Sequence, residues 1–220
     1  GGDITDSGVL AITGTSTFTV ADGRSITLDQ SSTFSDTVTF AASAGTIASV
    51  EINDSNAFDL KTLTTTGNLT VTAGGNITDS GTVTVGGNLA ATTDANNGVI
   101  DLGTLAVDGT MALTTHGTGA ATVVNDAGLN FAASTVGGAL SATATTGNVA
   151  QSGALTITGV TTIAADSGNN ITLDNTSNNF QAAVRITSGN NVTLVDAGAI
   201  DLGASTVSGT YAVTATAGGD

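Results

Sequence analysis

His116 is the residue whose chemistry can be examined most directly, because it is the single histidine of the 220-residue chain. A histidine acts as a general base toward a serine nucleophile when an acidic side chain orients its ring. His116 lies in the stretch TTHGTG, where two glycines predict an exposed turn. Serine and aspartate are so frequent in this chain that their presence identifies no partner. The sequence therefore predicts an exposed turn residue with no catalytic role.

Polysaccharide lyases and hydrolases use another set of groups, namely clustered carboxylates, or calcium-binding acids together with a basic proton acceptor. The chain has 18 acidic residues but only three basic ones, Arg24, Lys61 and Arg185. Solvated surface charge is the simpler interpretation of these three side chains. We therefore predict that the protein is not an enzyme and has no catalytic residue. A secreted β-helix that binds or degrades carbohydrate stays open as the alternative.

Aspartates recur at equivalent positions in successive thirds of the chain. If each third contains three or four stacked coils, equivalent aspartates are about 14 to 19 Å apart. This separation is too large for them to share a cation. A calcium site would have to combine sets, for example Asp174 with Asp196 or Asp101 with Asp126. Because aspartate at a turn usually caps its own backbone, the sequence predicts no metal or cofactor, with calcium as the open alternative. The sets are Asp6 and Asp79; Asp29, Asp101 and Asp174; Asp54, Asp126 and Asp196; and Asp59 and Asp201.

Threonine forms alternating runs, such as TFTV at 17–20 and TVT at 82–84. Flat threonine arrays on a β-solenoid can match an ice lattice. The glycines that mark the repeats are unevenly spaced, however, since Gly23 follows Gly8 more closely than Gly45 follows Gly23. Coils of such different lengths are expected to break a regular array. Outward threonine is explained by its preference for strands.

Composition excludes several classes of function. The net charge of −15 repels phosphate backbones and anionic lipid headgroups, so we expect no nucleic-acid or polybasic membrane binding. The chain contains no cysteine, which removes disulfides, thiol catalysis and thiolate metal sites. It has no apolar run long enough for a transmembrane helix. It also lacks an initiator methionine and a signal peptide, so we interpret it as a piece of a longer chain.

A long internal repeat organises the sequence. GGDITDSG at 1–8 returns as GGNITDSG at 74–81 and more loosely as TGNVAQSG at 146–153, and the chain closes on GGD at 218–220. Self-similarity at a fixed period is the signature of a repeat architecture. We therefore predict one continuous segment, 1–220, made of three tandem units at 1–73, 74–145 and 146–217.

A shorter repetition predicts how these units fold. SGNNITLD at 167–174 returns as SGNNVTLV at 188–195, and apolar residues alternate with threonine in both. Alternation with a period of two predicts half-buried strands. Like segments lie on like segments in a solenoid but not in an antiparallel sandwich or barrel. We predict an all-β, parallel β-solenoid, a right-handed β-helix of nine to twelve coils, with an asparagine ladder at the repeated turn.

The repeat sequences resemble those of a known group of proteins. Phrases such as GNLTVTAGGNITDSG and NNVTLVDAGAIDLGASTVSGTYAVTA are similar to the repeat region of giant secreted bacterial exoproteins related to filamentous haemagglutinin, which use two-partner secretion. The resemblance implies a secreted or cell-surface bacterial protein that forms long β-helical rods for adhesion or biofilm cohesion.

From this resemblance and the repeats we expect a structural and adhesive β-solenoid, part of a surface adhesin stalk or an extracellular filament. Neither end of the sequence carries a distinctive cap for the exposed core. The expected partners are therefore neighbouring repeats or identical subunits placed end to end. Cell-surface receptors or polysaccharide are further expected partners.

Overall fold

The computed structural model describes residues 1–94 and 97–216 as 26 short β-strands joined by tight turns. All pairs between these strands are parallel. The described residues form no helix, so none that could cross a membrane is found among them. These observations confirm the predicted all-β, parallel β-solenoid. The GGD sequence at 218–220 and residue 217 lie outside the described residues.

The strands form three sheets. Sheet one contains 15 strands: β1 (Ile4–Thr5), β2 (Ala11–Ile12), β4 (Ile26–Phe34), β6 (Val50–Asp54), β9 (Leu69–Ala73), β12 (Leu89–Thr93), β14 (Met111–Thr114), β16 (Leu129–Phe131), β17 (Ser134–Val136), β19 (Val149–Gln151), β20 (Leu155–Ile157), β22 (Ile171–Leu173), β23 (Asn179–Phe180), β25 (Val192–Asp196) and β26 (Tyr211–Ala215). Sheet two contains nine: β7 (Phe58–Leu60), β8 (Leu63–Thr65), β10 (Ile77–Asp79), β11 (Val83–Val85), β13 (Ile100–Val107), β15 (Ala121–Asn125), β18 (Leu140–Ala144), β21 (Thr161–Ala164) and β24 (Val184–Ser188). Sheet three contains β3 (Ser16–Val20) and β5 (Val38–Ala42).

Each strand pairs with the strand one coil later, and the two related SGNN stretches lie directly on one another. Ile171 pairs with Val192 and Leu173 with Leu194. The coils differ in length: a short one leads from Phe58 to Ile77, and a longer one leads from Ile26 to Val50. The turns absorb this variation, since the strands keep their register. The stack contains about ten coils, within the predicted range, and at about 4.8 Å per coil it is about 50 Å long.

One continuous aliphatic core runs through the stack. Inward positions hold valine, isoleucine, leucine and alanine, while threonine, serine and asparagine alternate with them on the outside. The phenylalanines Phe18, Phe34, Phe40 and Phe58 form a local cluster, with ring centroids 6.0–6.4 Å apart. Small branched side chains suit a narrow coil because they fill it from both sides without bending the strands.

A unit of the sequence repeat does not contain a whole number of coils. About ten coil steps lead from Ile4 to Tyr211, and this stretch spans nearly three units, so one unit makes about three and a half coils. Equivalent strands of successive units therefore alternate between the sheets. Ile4 of the first unit lies in sheet one, Ile77 of the second in sheet two, and Val149 of the third in sheet one again.

The asparagine ladder forms at the turn that precedes sheet one. The backbone N–H and the Nδ2 of Asn191 both donate to Oδ1 of Asn170 at 3.1 Å, and the N–H of Asn170 donates to Oδ1 of Asn148 at 2.8 Å. In the first half of the chain, the N–H of Asn88 donates to Oδ1 of Asn68 at 2.9 Å. The ladder is confirmed, and its oxygens mainly satisfy N–H groups of the next coil.

Candidate functional site

His116 lies exposed in the turn after β14, as the sequence predicts. Its Nδ1 is 2.6 Å from the carbonyl oxygen of Thr93 on the previous coil. This hydrogen bond ties two successive turns together. The described contact of His116 is therefore a structural one.

The three basic side chains do not meet. Lys61 forms an ion pair with Asp59 and donates to Ser80 Oγ at 3.0 Å. Arg24 is exposed in the turn that leads into β4 of sheet one. Arg185 faces outward from β24 of sheet two, where it pairs with Thr162. Among residues 1–94 and 97–216, Lys61 is the one of the three that forms an ion pair, and it lines the cleft described below.

The sequence predicted that turn aspartates cap their own backbone, and Asp36, Asp54 and Asp196 do so by accepting the N–H of a residue one or two positions later. Other aspartates instead cap the backbone of the neighbouring coil. Asp79 shows this most fully: Oδ1 accepts the N–H of Gly103 at 2.9 Å, and Oδ2 accepts the N–H of Thr104 at 2.8 Å. In the same way Asp3 accepts from Ser25, Asp6 from Asp29, and Asp22 from Thr46. The carboxylates thus contribute to the contact between coils, a role that becomes visible only when the coil length is known.

A buried polar side chain recurs once in each unit. Asp54 accepts the N–H of Phe34 at 3.2 Å, and Asp196 accepts the N–H of Phe180 at 2.9 Å. The equivalent position in the second unit is Asn125, whose Oδ1 accepts the N–H of Val107 at 2.8 Å. The sequence pattern grouped Asp126 with Asp54 and Asp196, which is wrong by one residue. Asp126 is exposed and lies outside the core.

The two aspartate pairs suggested for calcium are not brought together. Asp174 follows Leu173, which pairs with Leu194, and it is exposed, while Asp196 is buried and faces inward. Asp101 pairs with Thr122, several positions along the strand from Asp126. The structure contains no group of three or more His, Cys, Asp or Glu residues in residues 1–94 and 97–216 that could hold a metal ion. Calcium binding stays a prediction.

A cleft of about 170 Å³ opens beside the phenylalanine cluster, and its polar lining includes Asp36, Asp54, Asp59 and Lys61. Burial raises the pKa of Asp54 above its ordinary value, and the N–H groups of Asn56 and Phe34 only partly offset this effect. Burial acts in the same direction on Asp59, but Lys61 and two hydroxyl donors outweigh it and lower its pKa. Two carboxyl groups in one cleft therefore have pKa values shifted in opposite directions.

Replacing Asp54 with asparagine is expected to stabilise the protein at neutral pH, because Asn125 already makes the equivalent contact. A raised pKa in the folded state means that the stability contribution of Asp54 is present below its unfolded pKa and is lost as the pH rises through the folded value. We expect a gain of about 0.5–2 kcal/mol at pH 7, as is typical of single stabilising substitutions, and no gain near pH 3. Urea unfolding of the variant and the native protein at pH 7 and near pH 3 measures this difference in stability.

Asp101→Asn is the matched control, because Asp101 is exposed on sheet two. The same substitution at an exposed position should change the unfolding free energy by less than about 0.5 kcal/mol. An Asp54→Asn variant that is less stable than the native protein at pH 7 would contradict the assigned cost of burying this carboxylate.

Five threonines on consecutive coils form one aligned column on sheet one: Thr72, Thr92, Thr114, Thr135 and Thr156. Uneven coil length does not break this column, although the glycine spacing predicted that it would, because the turns absorb the difference in length. The neighbouring outward column holds Thr70, Ala90 and Ala112. One outward column is thus threonine on five consecutive coils, whereas the neighbouring column contains alanine on two of the three coils compared.

The comparisons with known proteins agree with the repeat architecture. Residues 1–41, 47–99, 118–187 and 189–220 match a family described as repeats of unknown function (DUF5649). Neither the curated proteins nor the solved structures gave a match. The family match covers most of the chain, and the parallel stack explains why its residues repeat. The chain therefore belongs to the family of repeats of unknown function (DUF5649).

Proposed function

We propose that this protein is a structural, adhesive segment of a long extracellular β-solenoid, the stalk of a bacterial surface adhesin or an extracellular filament. The observation that carries the proposal is the uninterrupted stack, in which one aliphatic core and one set of parallel ladders continue from the first described coil to the last. Such a stack gains length with each added repeat. The resemblance of the repeats to filamentous haemagglutinin and its relatives supports the same role.

The mechanism is mechanical. Each coil contributes parallel backbone hydrogen bonds and a share of the core, so the load along the rod is distributed over many similar contacts. The outer surface carries threonine, asparagine and most of the 18 acidic residues, which keep the rod hydrated and separate from its neighbours. In this proposal the protein is secreted, works without catalysis or cofactor, and contacts neighbouring repeats, receptors or polysaccharide.

Antibodies raised against the 220-residue segment test the proposal on intact bacteria that make the protein. Immunogold electron microscopy is expected to label thin rods on the cell surface, and added protease should remove the label without lysing the cells. Label confined to the cell interior would contradict the proposal. Discrete globular particles would contradict it as well.

Carbohydrate binding or degradation is the second candidate function, and the cleft lined by Asp36, Asp54, Asp59 and Lys61 favours it. Carboxylates with divergent pKa values are one arrangement that sugar-processing enzymes use. Incubation of the segment with surface polysaccharides distinguishes the candidates. New reducing or unsaturated ends would establish catalysis in place of the structural role.

A further inference from the structure

Both ends of the stack present apolar side chains beside an open strand edge. Within the described part of the chain, β26 pairs only with β25, and Leu202 and Tyr211 are 44 % and 37 % exposed. At the other end β3 pairs, among residues 1–94 and 97–216, with β5 alone, and Phe18 is only partly buried. An open parallel edge next to apolar side chains is a template for a further strand. The sequence repeat identifies the strand that fits.

Exposed residues of the last coil have equivalents inside the stack that are buried. Tyr211 corresponds to Leu140 and Leu69, one and two units earlier, which are 1 % and 0 % exposed. Leu202 behaves in the same way, as do the partly buried Val207 and Val213. The buried equivalents are Leu60 and Phe131 for Leu202, Thr65 and Val136 for Val207, and Val71 and Ala142 for Val213. The last coil thus carries apolar side chains at positions that are buried under a following coil elsewhere in the stack.

The strands that cover these equivalents are visible within the chain. β9 and β18 are the equivalents of β26, and they are covered by β12 and β21. β12 and β21 are in turn equivalents of β3, since Leu89 and Thr161 occupy the position of Ser16 in the second and third units. The same contact therefore occurs twice inside the molecule, between the first and second units and between the second and third.

We propose that the 220-residue segment self-associates: the C-terminal end of one copy of the segment binds the N-terminal end of a second copy, so that β3 of the second copy continues the sheet beyond β26. The inference rests on the proposed structural function and specifies how that structure grows. Three segments meet in a defined register taken from the internal contacts. The pairs are Ile200 with Ile4, Asp201 with Thr5 and Leu202 with Asp6; Ser205 with Leu10, Thr206 with Ala11 and Val207 with Ile12; and Tyr211 with Ser16 through to Ala215 with Val20.

One polar contact of the junction also has an internal precedent. Asp201 of the first copy faces Thr5 of the second in this register. The equivalent pair inside the stack is Asp59 and Thr78, in which Thr78 Oγ1 donates to Asp59 Oδ1 at 3.3 Å. The junction thus combines apolar burial with a hydrogen bond that fixes its register.

Each unit makes about three and a half coils, so three units end half a coil out of step with their start. This offset sets the orientation of the second copy. In its own copy, β3 and β5 lie on the side of sheet two, where the ring of Phe40 is 6.4 Å from that of Phe58 in β7. At the junction β3 must extend sheet one, because β26 belongs to that sheet. Successive copies are therefore related by about half a turn around the axis and an advance of about 50 Å. Repetition of this step gives a filament with two copies per axial repeat.

Engineered disulfides test the register, since the native chain has no cysteine. One copy carries Thr19→Cys and the other Thr214→Cys, which are paired across the proposed junction. Their separation, about 4.8 Å between parallel strands, suits a disulfide. Mild oxidation of the mixture is expected to give a cross-linked product of twice the 21.1 kDa chain mass. Thr72→Cys with Thr92→Cys in one chain is the positive control, because this internal pair is equivalent.

Thr17→Cys mixed with Thr214→Cys is the register control. Thr17 lies two positions along the strand from the paired residue, so the two Cα atoms are about 8 Å apart, beyond the reach of a disulfide. We expect little cross-linking for this pair. Equal yields from Thr17→Cys and Thr19→Cys would overturn the register, and no product from either would overturn the junction.

A charge in the interface tests the junction without cysteine. Leu202→Asp is expected to weaken self-association at least tenfold in sedimentation equilibrium, and it should fold normally because Leu202 is already exposed in the single chain. Val9→Asp is the matched control, since Val9 is 67 % exposed and its equivalent Thr82 stays exposed inside the stack. A chain that stays monomeric at all concentrations would overturn the proposal.

These outcomes separate the junction from the proposed function. Correct cross-linking of a protein that immunogold finds only inside cells would refute the extracellular role and leave the junction standing. Surface rods made of chains that fail to cross-link in this register would refute the junction alone.

Discussion

Asn178→Ala is expected to destabilise the coils around residue 178 by about 4 kcal/mol, because it leaves several buried main-chain groups without hydrogen-bond partners. The side chain of Asn178 is completely buried. Its Oδ1 accepts the N–H of Leu155 at 2.9 Å. The two hydrogens of its Nδ2 serve three acceptors, Gln151 Oε1 and the carbonyl oxygens of Val195 at 3.1 Å and Leu173 at 3.3 Å, so one of these bonds is shared. Each buried group that loses its partner costs about 1–3 kcal/mol.

Gln151 increases the expected effect. Its Nε2 donates to Asn178 Oδ1 at 2.8 Å, and its Oε1 accepts from Asn178 Nδ2 at 2.9 Å. This reciprocal pair links two coils through side chains alone. Truncation of Asn178 leaves Gln151 Oε1 without this donor, while Gln151 Nε2 keeps its hydrogen bond to the carbonyl oxygen of Gly153 at 2.7 Å. A buried acceptor that loses its donor adds to the cost.

Amide hydrogen exchange is the appropriate measurement for Asn178→Ala, because coils of a solenoid interact mainly with their nearest neighbours. We expect faster exchange in β20, β22 and β25 and little change in the distant β9 and β12. Asn179→Ala is the matched control, since Asn179 is adjacent and exposed. Equal losses of protection in the two variants would contradict the role assigned to the buried amide.

The fold could be predicted because the segments that repeat in the sequence are the segments that pair with each other in the structure. The copies of SGNN at 167–170 and 188–191 are adjacent in the stack, so their spacing in the sequence equals the length of one coil. A parallel solenoid is the architecture in which this relation holds. The alternation of apolar residues with threonine then assigned the inward and outward faces.

The sequence predicted three or four coils in a unit but could not give the half coil. The short interval from Gly8 to Gly23 resembles a short coil, but every coil step between paired strands is at least as long as the step from Phe58 to Ile77. Turns change their length without moving the strands, so glycine spacing reports turns rather than coils. The three and a half coils of a unit emerge only from the pairing of strands.

The roles of the aspartates were missed for a related reason. Asp22 accepts the N–H of Thr46 on the next coil at 2.9 Å, and this partner is invisible until the coil length is fixed. The set of recurring aspartates also matched Asp126 with Asp54 by residue type, whereas the structure places Asn125 at the position equivalent to Asp54. An amide and a carboxylate accept the same hydrogen bond, so chemical similarity, more than identity, was the useful signal.

Gly138→Ala is expected to lower the free energy of unfolding by about 2–3 kcal/mol, the cost of forcing added volume into a packed backbone contact. The N–H of Gly138 donates to the carbonyl oxygen of Gly119 on the previous coil at 2.7 Å. A Cβ at position 138 would overlap the carbonyl oxygen of Thr118 and would lie 2.9 Å from the backbone nitrogen of Ala120. Backbone atoms cannot rotate away as a side chain does, so the two coils must separate locally.

Gly103→Ala is the control that isolates this contact, because a Cβ at Gly103 meets no atom within 4 Å. Neither glycine has a positive φ, so alanine is compatible with the backbone conformation at both positions. At Gly103 alanine should leave stability unchanged or raise it by about 0.4–1 kcal/mol, since it restricts the unfolded chain. Thermal unfolding of the two variants should thus shift in different directions. If Gly138→Ala were as stable as Gly103→Ala, close stacking of the turns would not be the reason for glycine there.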